Sequence, residues 1–284
     1  LGEVVAPGRD AIDLARPHDA RHRVEALSPA LIINAAAYTA VDRAEGEPEL
    51  ANAVNAEAPG VVADAARRLG VPFVHVSTDY VFDGRNRVDA DGRVRPYTET
   101  DAVNPLGVYG RSKLAGEDAI RACGGAYVIL RTSWVFSRRR HNFLTLMRRL
   151  ASERSELRVV DDQIGGPTWA GNLADAIAQM LAAIWAQGGV SALARHSGTY
   201  HLASTGAVSR FGFAQALFDQ LARQSETPAP RLVPVPAIEF PTPAARPACS
   251  VLESAKFRQT FGLALPDWRT GLRLCLAETN DLGM

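Results

Sequence analysis

Gly70-Val71-Pro72-Phe73-Val74-His75-Val76-Ser77-Thr78-Asp79-Tyr80 is the stretch on which the fold turns. Glycine accepts the left-handed backbone that ends a helix, and the residue before a proline is pushed to extended conformation, so Gly70-Val71-Pro72 reads as a helix stop followed by the start of a strand. The run Phe73–Ser77 is apolar on both faces, as expected of a strand covered by helices on both sides. It leads straight into Thr78-Asp79-Tyr80. Ligands of open parallel sheets bind at the carboxyl ends of the strands, so the Ser77 and Thr78 hydroxyls are placed to donate to a carbonyl oxygen. Capping a following helical turn is the plainer use of the same hydroxyls.

Outward from this strand, short β-branched runs alternate with helical stretches, the pattern of a parallel sheet wrapped by helices. Strands are expected near Glu3–Ala6, Leu31–Asn34 and Tyr127–Arg131. Helices are expected near Asp19–Leu27, Glu49–Leu69, broken or kinked at Pro59, and Pro105–Arg121. Beyond residue 140 the texture changes to helices at Asn142–Arg154, Gly171–Gln187, Ser209–Arg223, Ser254–Phe261 and Asp267–Glu278, with short strands at Arg158–Val160 and Thr199–Leu202. The proline-rich stretch Thr227–Pro247 reads as an extended wrapping loop. The expected fold class is α/β: a doubly wound, Rossmann-like parallel sheet, truncated at its N-terminal side, with a smaller α/β substrate-binding domain. Residues 1–140 form the cofactor domain and 141–284 mainly the substrate domain, with segments near 165–190 and 236–250 returning to the first.

The 284 residues are 47% hydrophobic, and 31 basic groups balance 31 acidic ones, so the chain is not built to bind nucleic acid or an anionic membrane. No apolar run approaches the roughly 18 residues of a membrane span. Cys123, Cys249 and Cys275 are too few and scattered for a disulfide framework, which points to the cytoplasm.

Of the 31 basic residues only Lys113 and Lys256 are lysines. Lys113 follows Tyr109 by four residues, and on a helix such positions share a face. An ammonium beside a phenol lowers the phenol's pKa, which makes the pair the general-acid apparatus of a carbonyl reductase. An incidental pair on an exposed helix is the alternative. Two further signals sit at strand exits. Ala35-Ala36-Ala37 leaves room for a flat ring or ribose to approach the backbone, though such turns also pack helices. Trp134, in Arg131-Thr132-Ser133-Trp134-Val135, would wall a substrate pocket or fill a domain junction.

Taken in order, Asn34-Ala35-Ala36-Ala37-Tyr38-Thr39-Ala40-Val41-Asp42, Ser77–Gly84, Tyr109–Glu117, Arg131–Val135, Asp162–Thr168, Pro241–Pro247 and Leu265–Trp268 resemble the dTDP-4-dehydrorhamnose reductase family of extended short-chain dehydrogenases. The resemblance implies reduction of the C4 ketone of dTDP-4-dehydro-L-rhamnose to dTDP-L-rhamnose, with Tyr109 as proton donor and Thr78 holding the ketone oxygen. Lys113 would lower the Tyr109 pKa and bind the nicotinamide ribose. It also implies that Ala36, Ala37, Tyr38 and Thr39 line NADPH or NADH, that Thr78, Asp79, Trp134 and Gln163 meet the sugar of the dTDP-linked 4-keto-6-deoxyhexose, and that Arg246 pairs with its diphosphate. For Asp162 and Gln163 alike, capping a turn is the alternative to binding the sugar. Arg9, with no carboxylate before Asp10, favours NADPH, with Asp13 and Leu14 near the adenosine. Mg2+ on Glu278 at a homodimer contact is a further implication, although the sequence itself offers no metal cluster. The family's glycine-rich phosphate loop is not found, and the expectation is that roughly 25 residues of a longer chain precede the stretch given. Two other readings stand beside the reductase: a nucleotide-sugar epimerase or dehydratase of the same superfamily, and a non-catalytic regulatory subunit like that of methionine adenosyltransferase.

Overall fold

The strand beginning at Phe73 runs to Thr78 and lies inside a four-stranded parallel sheet of the order Ile32–Asn34, Phe73–Thr78, Tyr127–Thr132, Gly198–His201. The computed structural model describes residues 2–85, 87–223 and 229–278. Side chains alternate across a strand, and both faces of this sheet are buried. Val74, Val128 and Leu130 pack against Ile177, Met180, Leu181 and Ile184 of the helix Ala170–Ala186 and against Phe257. On the opposite face Phe73 and Ile129 meet Val24, Val62, Ala66 and Ile120 from three helices. Each fully buried aliphatic or aromatic side chain contributes about 1.5–3 kcal/mol relative to exposure, which is why the sheet is the sequence's most legible part. The strands are all parallel and covered on both sides, so the expected doubly wound α/β architecture is present.

A second apolar cluster gathers Phe136, Leu144, Met147, Leu157, Phe213, Leu217, Trp268 and Leu272. Over it, strand Glu156–Val160 pairs in parallel with Arg231–Val235. This corrects the reading of Thr227–Pro247 as loop throughout; Thr227 and Pro228 lie outside the described residues. Pro234 is exposed in a two-stranded sheet, where its missing N–H leaves no central ladder broken. Helix Ala170–Ala186 and strand Gly198–His201 follow residue 140 in sequence yet pack in the main sheet.

Two other expectations change. Glu3–Ala6 forms no strand: residues 2–7 are irregular, with Val4 86% and Val5 61% exposed. A strand is held by a hydrogen-bonded neighbour, and none of the described strands pairs with this stretch. The helix expected over Glu49–Leu69 divides into Pro48–Asn52, a π-helical turn at Ala53–Glu57, and Ala58–Leu69, where Pro59 occupies the first turn that tolerates it. Short helices at Val41–Ala44 and Val190–Arg195 carry no signal that the sequence reading used.

Candidate active site

The helix Val108–Cys123, carrying Tyr109 and Lys113, is fixed at every turn. Its first N–H groups have no intrahelical acceptor, and Glu45 Oε1 accepts the one from Val108 at 2.8 Å. Gly110 and Gly116 let the helix approach other backbone: a Cβ at Gly110 would lie 2.3 Å from the Tyr80 carbonyl oxygen, and one at Gly116 would lie 2.1 Å from that of Asn55. Any side chain would push the helix off the turn after Thr78 and off the π-helical turn. Glu117, fully buried one turn after Lys113, accepts hydrogen bonds from Ser77 Oγ at 2.6 Å and from Arg131 Nε and Nη2 at 2.9 and 2.7 Å. Arg121 adds a third cationic donor at 3.2 Å. Burial pushes the Glu117 pKa up, but Arg131, Ser77 and Arg121 outweigh it and leave the carboxyl below its usual range.

These packings bring the strand end and the helix start together. Thr78 Oγ1 donates to Asp79 Oδ1 at 3.1 Å and accepts the Tyr80 N–H at 3.2 Å, so it also serves as the cap of the turn Asp79–Val81. Asp79 is 2% exposed and accepts a hydrogen bond from Ser250 Oγ. Burial raises its pKa to about 6 against the pull of Ser250, Thr78 and Arg210. The Tyr80 and Tyr109 rings meet edge to face at 5.5 Å.

The expected effect of Lys113 on Tyr109 is not what the geometry gives. Burial raises the Tyr109 pKa above its ordinary value; Thr78 pulls it down, and the Asp79 and Tyr80 charges push it further up. Lys113 takes no part in this balance. Its Nζ donates to the Val76 carbonyl at 2.8 Å and lies 3.0 Å from His75 Nε2, with 1% of the residue exposed. Sharing a helix face set the direction of the two side chains, but the strand captured the amine.

The opposite wall holds Trp134 with φ 44°, a conformation that costs a bulky residue energy and persists only where surroundings enforce it. Its ring lies over Gly165, where a Cβ would come within 2.3 Å. The Arg210 guanidinium lies over the Trp134 ring, 4.2 Å from its centroid, and donates Nε–H to Gln163 Oε1 at 3.0 Å. Arg210 thus joins Trp134 and Gln163, and its charge acts on Asp79 and Tyr80 as well. Among so many arginines no local pattern singles it out. Glu117, by contrast, continues the Tyr109–Lys113 stripe at the next turn and was readable in principle.

Arg246 is placed differently from a free phosphate ligand. Its guanidinium bridges both Asp42 oxygens, at 3.1 and 2.7 Å, and also binds Thr242 and the Ala244 carbonyl. The loop is thereby fastened to helix Val41–Ala44, while Arg246 remains near enough to act electrostatically on Tyr80 and Arg210. Asp162 follows its plainer reading: both carboxylate oxygens accept the Ala237 N–H at the start of a helical turn.

On the cofactor side, Ala36 and Thr39 are exposed and Ala37 and Tyr38 half-buried at the exit of strand Ile32–Asn34. Asn55, fully buried in the π-helical turn, accepts the Tyr38 N–H at 2.8 Å and donates to the Tyr38 carbonyl and to Ser112 Oγ. One side chain therefore ties the alanine loop to the Tyr109–Lys113 helix, a use of π-turns that recurs at functional sites. Small side chains, an accessible backbone edge and an adjoining lysine fit the nicotinamide end of a dinucleotide. Arg9 and Asp13 pair with each other at 3.3 Å in an exposed turn, and Leu14 beside them is half-buried. Among the described residues no group of three His, Cys, Asp or Glu side chains could hold a metal ion, and Glu278 stands as a single carboxylate, its carbonyl bound by Arg138. No helix among the described residues is long and apolar enough to cross a membrane.

Residues 2–280 match the family model described as RmlD substrate binding domain. The chain is 44% identical over 281 residues to dTDP-4-dehydrorhamnose reductase of Burkholderia thailandensis, covering 98% of this chain and 91% of that protein. The chain belongs to the dTDP-4-dehydrorhamnose reductase family. Membership extends to architecture. The Bacillus anthracis reductase in complex with NADP superposes with TM-score 0.84 at 34% identity, covering 96% of this chain and 89% of that one. The Clostridium acetobutylicum reductase superposes equally well, with TM-score 0.84 at 32% identity and coverage of 97% and 90%.

Proposed function

We propose that this chain reduces the C4 ketone of dTDP-4-dehydro-L-rhamnose to dTDP-L-rhamnose with NADPH. The observation that carries the reading is the junction of Thr78 at a strand end with Tyr109 and Lys113 on one pinned helix, in a member of this family. The Bacillus anthracis relative's complex with NADP supports the choice of cofactor.

The cofactor, when bound, supplies hydride to the ketone carbon. Negative charge then grows on the ketone oxygen, and this chain's own groups meet it. Tyr109, whose raised pKa keeps the phenol protonated at neutral pH, gives the proton. Thr78 Oγ1 turns its hydrogen bond from Asp79 toward the oxygen. Lys113 and the loop Ala36, Ala37, Tyr38 and Thr39 hold the nicotinamide end, and Arg9, Asp13 and Leu14 the adenosine end. Asp79, Trp134, Gln163 and Arg246 form the sugar nucleotide's side. The division of labour follows the two apolar clusters, with the main sheet serving the cofactor and the second cluster the substrate wall. The setting is the cytoplasm and the working form a homodimer. Glu278 is the carboxylate that this chain would offer to Mg2+ at the homodimer contact, and the roles given to the residues above do not depend on it.

The test is a spectrophotometric assay of NADPH oxidation with dTDP-4-dehydro-L-rhamnose. Stoichiometric, ketone-dependent oxidation is the expected result. Turnover of a nucleotide sugar without net NADPH consumption would move the chain to the epimerases. Tight NADPH binding with no ketone-dependent oxidation would favour a regulatory subunit.

A further inference from the structure

Asn34 and His75 lead to Lys113 in a hydrogen-bonded chain whose first two members have no part in the reaction. The three residues are 8%, 0% and 1% exposed and come from two strands and the Tyr109 helix. The Ala36 N–H donates to Asn34 Oδ1 at 3.2 Å, which orients the amide so that Nδ2 faces His75 Nδ1, also at 3.2 Å. An NH2 group only donates, so Nδ1 carries a lone pair and the neutral ring has its hydrogen on Nε2. Burial, with the Lys113 charge adding to it, holds His75 well below the usual histidine range, so the ring is neutral. Nε2–H then points at Lys113 Nζ, 3.0 Å away, while Nζ donates its own hydrogen to the Val76 carbonyl. Every donor meets an acceptor only if Lys113 is an uncharged amine.

A proton added to Lys113 sets two donors against each other. The conflict is relieved when the ring hydrogen moves to Nδ1. In net terms an N–H bond forms at Nδ1, the Nε2–H bond breaks with its proton passing to Nζ, and one proton is taken up. Asn34 must then turn its oxygen to Nδ1 and its NH2 toward Ala36, which releases the Ala36 N–H. The groups facing the amine do not cancel this charge. Glu117, on the same helix, acts on Lys113 but is itself held by Ser77, Arg131 and Arg121, and Asp79 from the adjoining turn acts on Tyr109. Asn55 and Ser112, between helix and loop, are uncharged. Burial lowers the Lys113 pKa to about 8, so the exchange falls within an accessible pH range.

We propose that Asn34 and His75 are positioning residues that form a proton-linked switch, in which the charge state of Lys113 decides whether the Ala36 N–H is tied to Asn34 or free for a ligand in the loop. The switch deepens the proposed role of Lys113 and rests on it for its catalytic meaning. Its test reads protons rather than turnover, so it can fail while the assay above succeeds, and the reverse.

The experiment is NMR of nucleotide-free protein carrying 15N-histidine and 13Cε-lysine. With two lysines in the chain, Lys256→Arg assigns the Lys113 signal, and His75→Gln assigns the imidazole. The expected result is that the His75 hydrogen sits on Nδ1 at low pH and on Nε2 at high pH, with a midpoint within about half a pH unit of the Lys113 titration. Asn34→Asp, whose carboxylate only accepts, should hold the hydrogen on Nδ1 throughout and raise the Lys113 midpoint at least tenfold in proton affinity. A tautomer that stays constant in the wild type while Lys113 titrates overturns the proposal, and this measurement stands even if Asn34→Asp does not fold. A folded Asn34→Asp variant that still carries the hydrogen on Nε2 overturns it equally.

Discussion

The helix Val108–Cys123 and the stretch of residues 2–16 are both read as cofactor-binding, yet they are built in opposite ways. The helix is held by Glu45 at its start, by glycine contacts at Gly110 and Gly116, and by Glu117 on two strands. Residues 2–16 hydrogen-bond mainly among themselves, through turns at Gly8 and Asp13, and leave Val4 and Val5 exposed. Geometry within tenths of an ångström matters for proton transfer, whereas a phosphate can be met by a mobile guanidinium on an exposed turn. A residue in the first region should therefore show large effects that report on chemistry or folding, and one in the second a small effect confined to binding.

Tyr109→Phe carries the largest expected effect, a fall in kcat of about 10²–10⁴-fold with NADPH affinity nearly unchanged. Stopped-flow or steady-state assays read the first and fluorescence titration the second. Full turnover in this variant would remove the proton donor and with it the reason for the helix's rigidity. Glu117→Ala comes next and tests the pinning itself. It strands Arg131, which is 4% exposed, without its carboxylate, and removing one partner of a buried ion pair costs about 3–5 kcal/mol. Denaturant unfolding should show that loss, and a loss below about 1 kcal/mol would mean that the helix is held by its apolar face alone.

The same contrast explains what the sequence could disclose. The strand at Phe73, the helix stop at Gly70 and the Tyr109–Lys113 stripe are local patterns set by period and by cap chemistry, and they survive in the structure. What local pattern cannot supply is the partner of each polar group. Lys113 was expected beside the phenol because both share a helix face, but its amine is bound by His75 and Val76 across the sheet. Arg210 looked like any other arginine until folding laid it over Trp134. The Glu3–Ala6 run had strand composition without a neighbour to pair with, and Arg231–Val235 became a strand despite Pro234 because a neighbour was there.

Lys113→Met should lose turnover yet gain stability, because a functional cation is buried at a cost. Burial holds the folded-state pKa of Lys113 at about 8, below the ordinary lysine value of 10.5. Between those values the unfolded chain holds the proton and the folded chain does not, so stability rises with pH through that window and the full cost is present below pH about 8. At 1.36 kcal/mol per pKa unit the cost is about 3 kcal/mol, and the His75 Nε2–H left without a partner returns part of it. Melting curves at pH about 7 should favour the variant, with the advantage shrinking toward pH about 10. An advantage that grows with pH would contradict a buried, depressed lysine.

Arg9→Ala carries the smallest effect and tests the second region. Arg9 lies in an exposed turn, paired with Asp13 and with most of its side chain in solvent. Its removal leaves folding untouched, so melting curves of variant and wild type should coincide. The reading of Arg9 as the group that meets the 2′-phosphate of NADPH predicts a several-fold rise in the NADPH KM, no change in kcat, and little change with NADH. The rise should also fade as salt is added, because an exposed guanidinium–phosphate contact is screened. An unchanged NADH/NADPH ratio would remove Arg9 from the cofactor site. A fall in kcat comparable to that of Tyr109→Phe would break the comparison itself, since it would mean that this loosely held turn positions the reacting atoms as strictly as the pinned helix does.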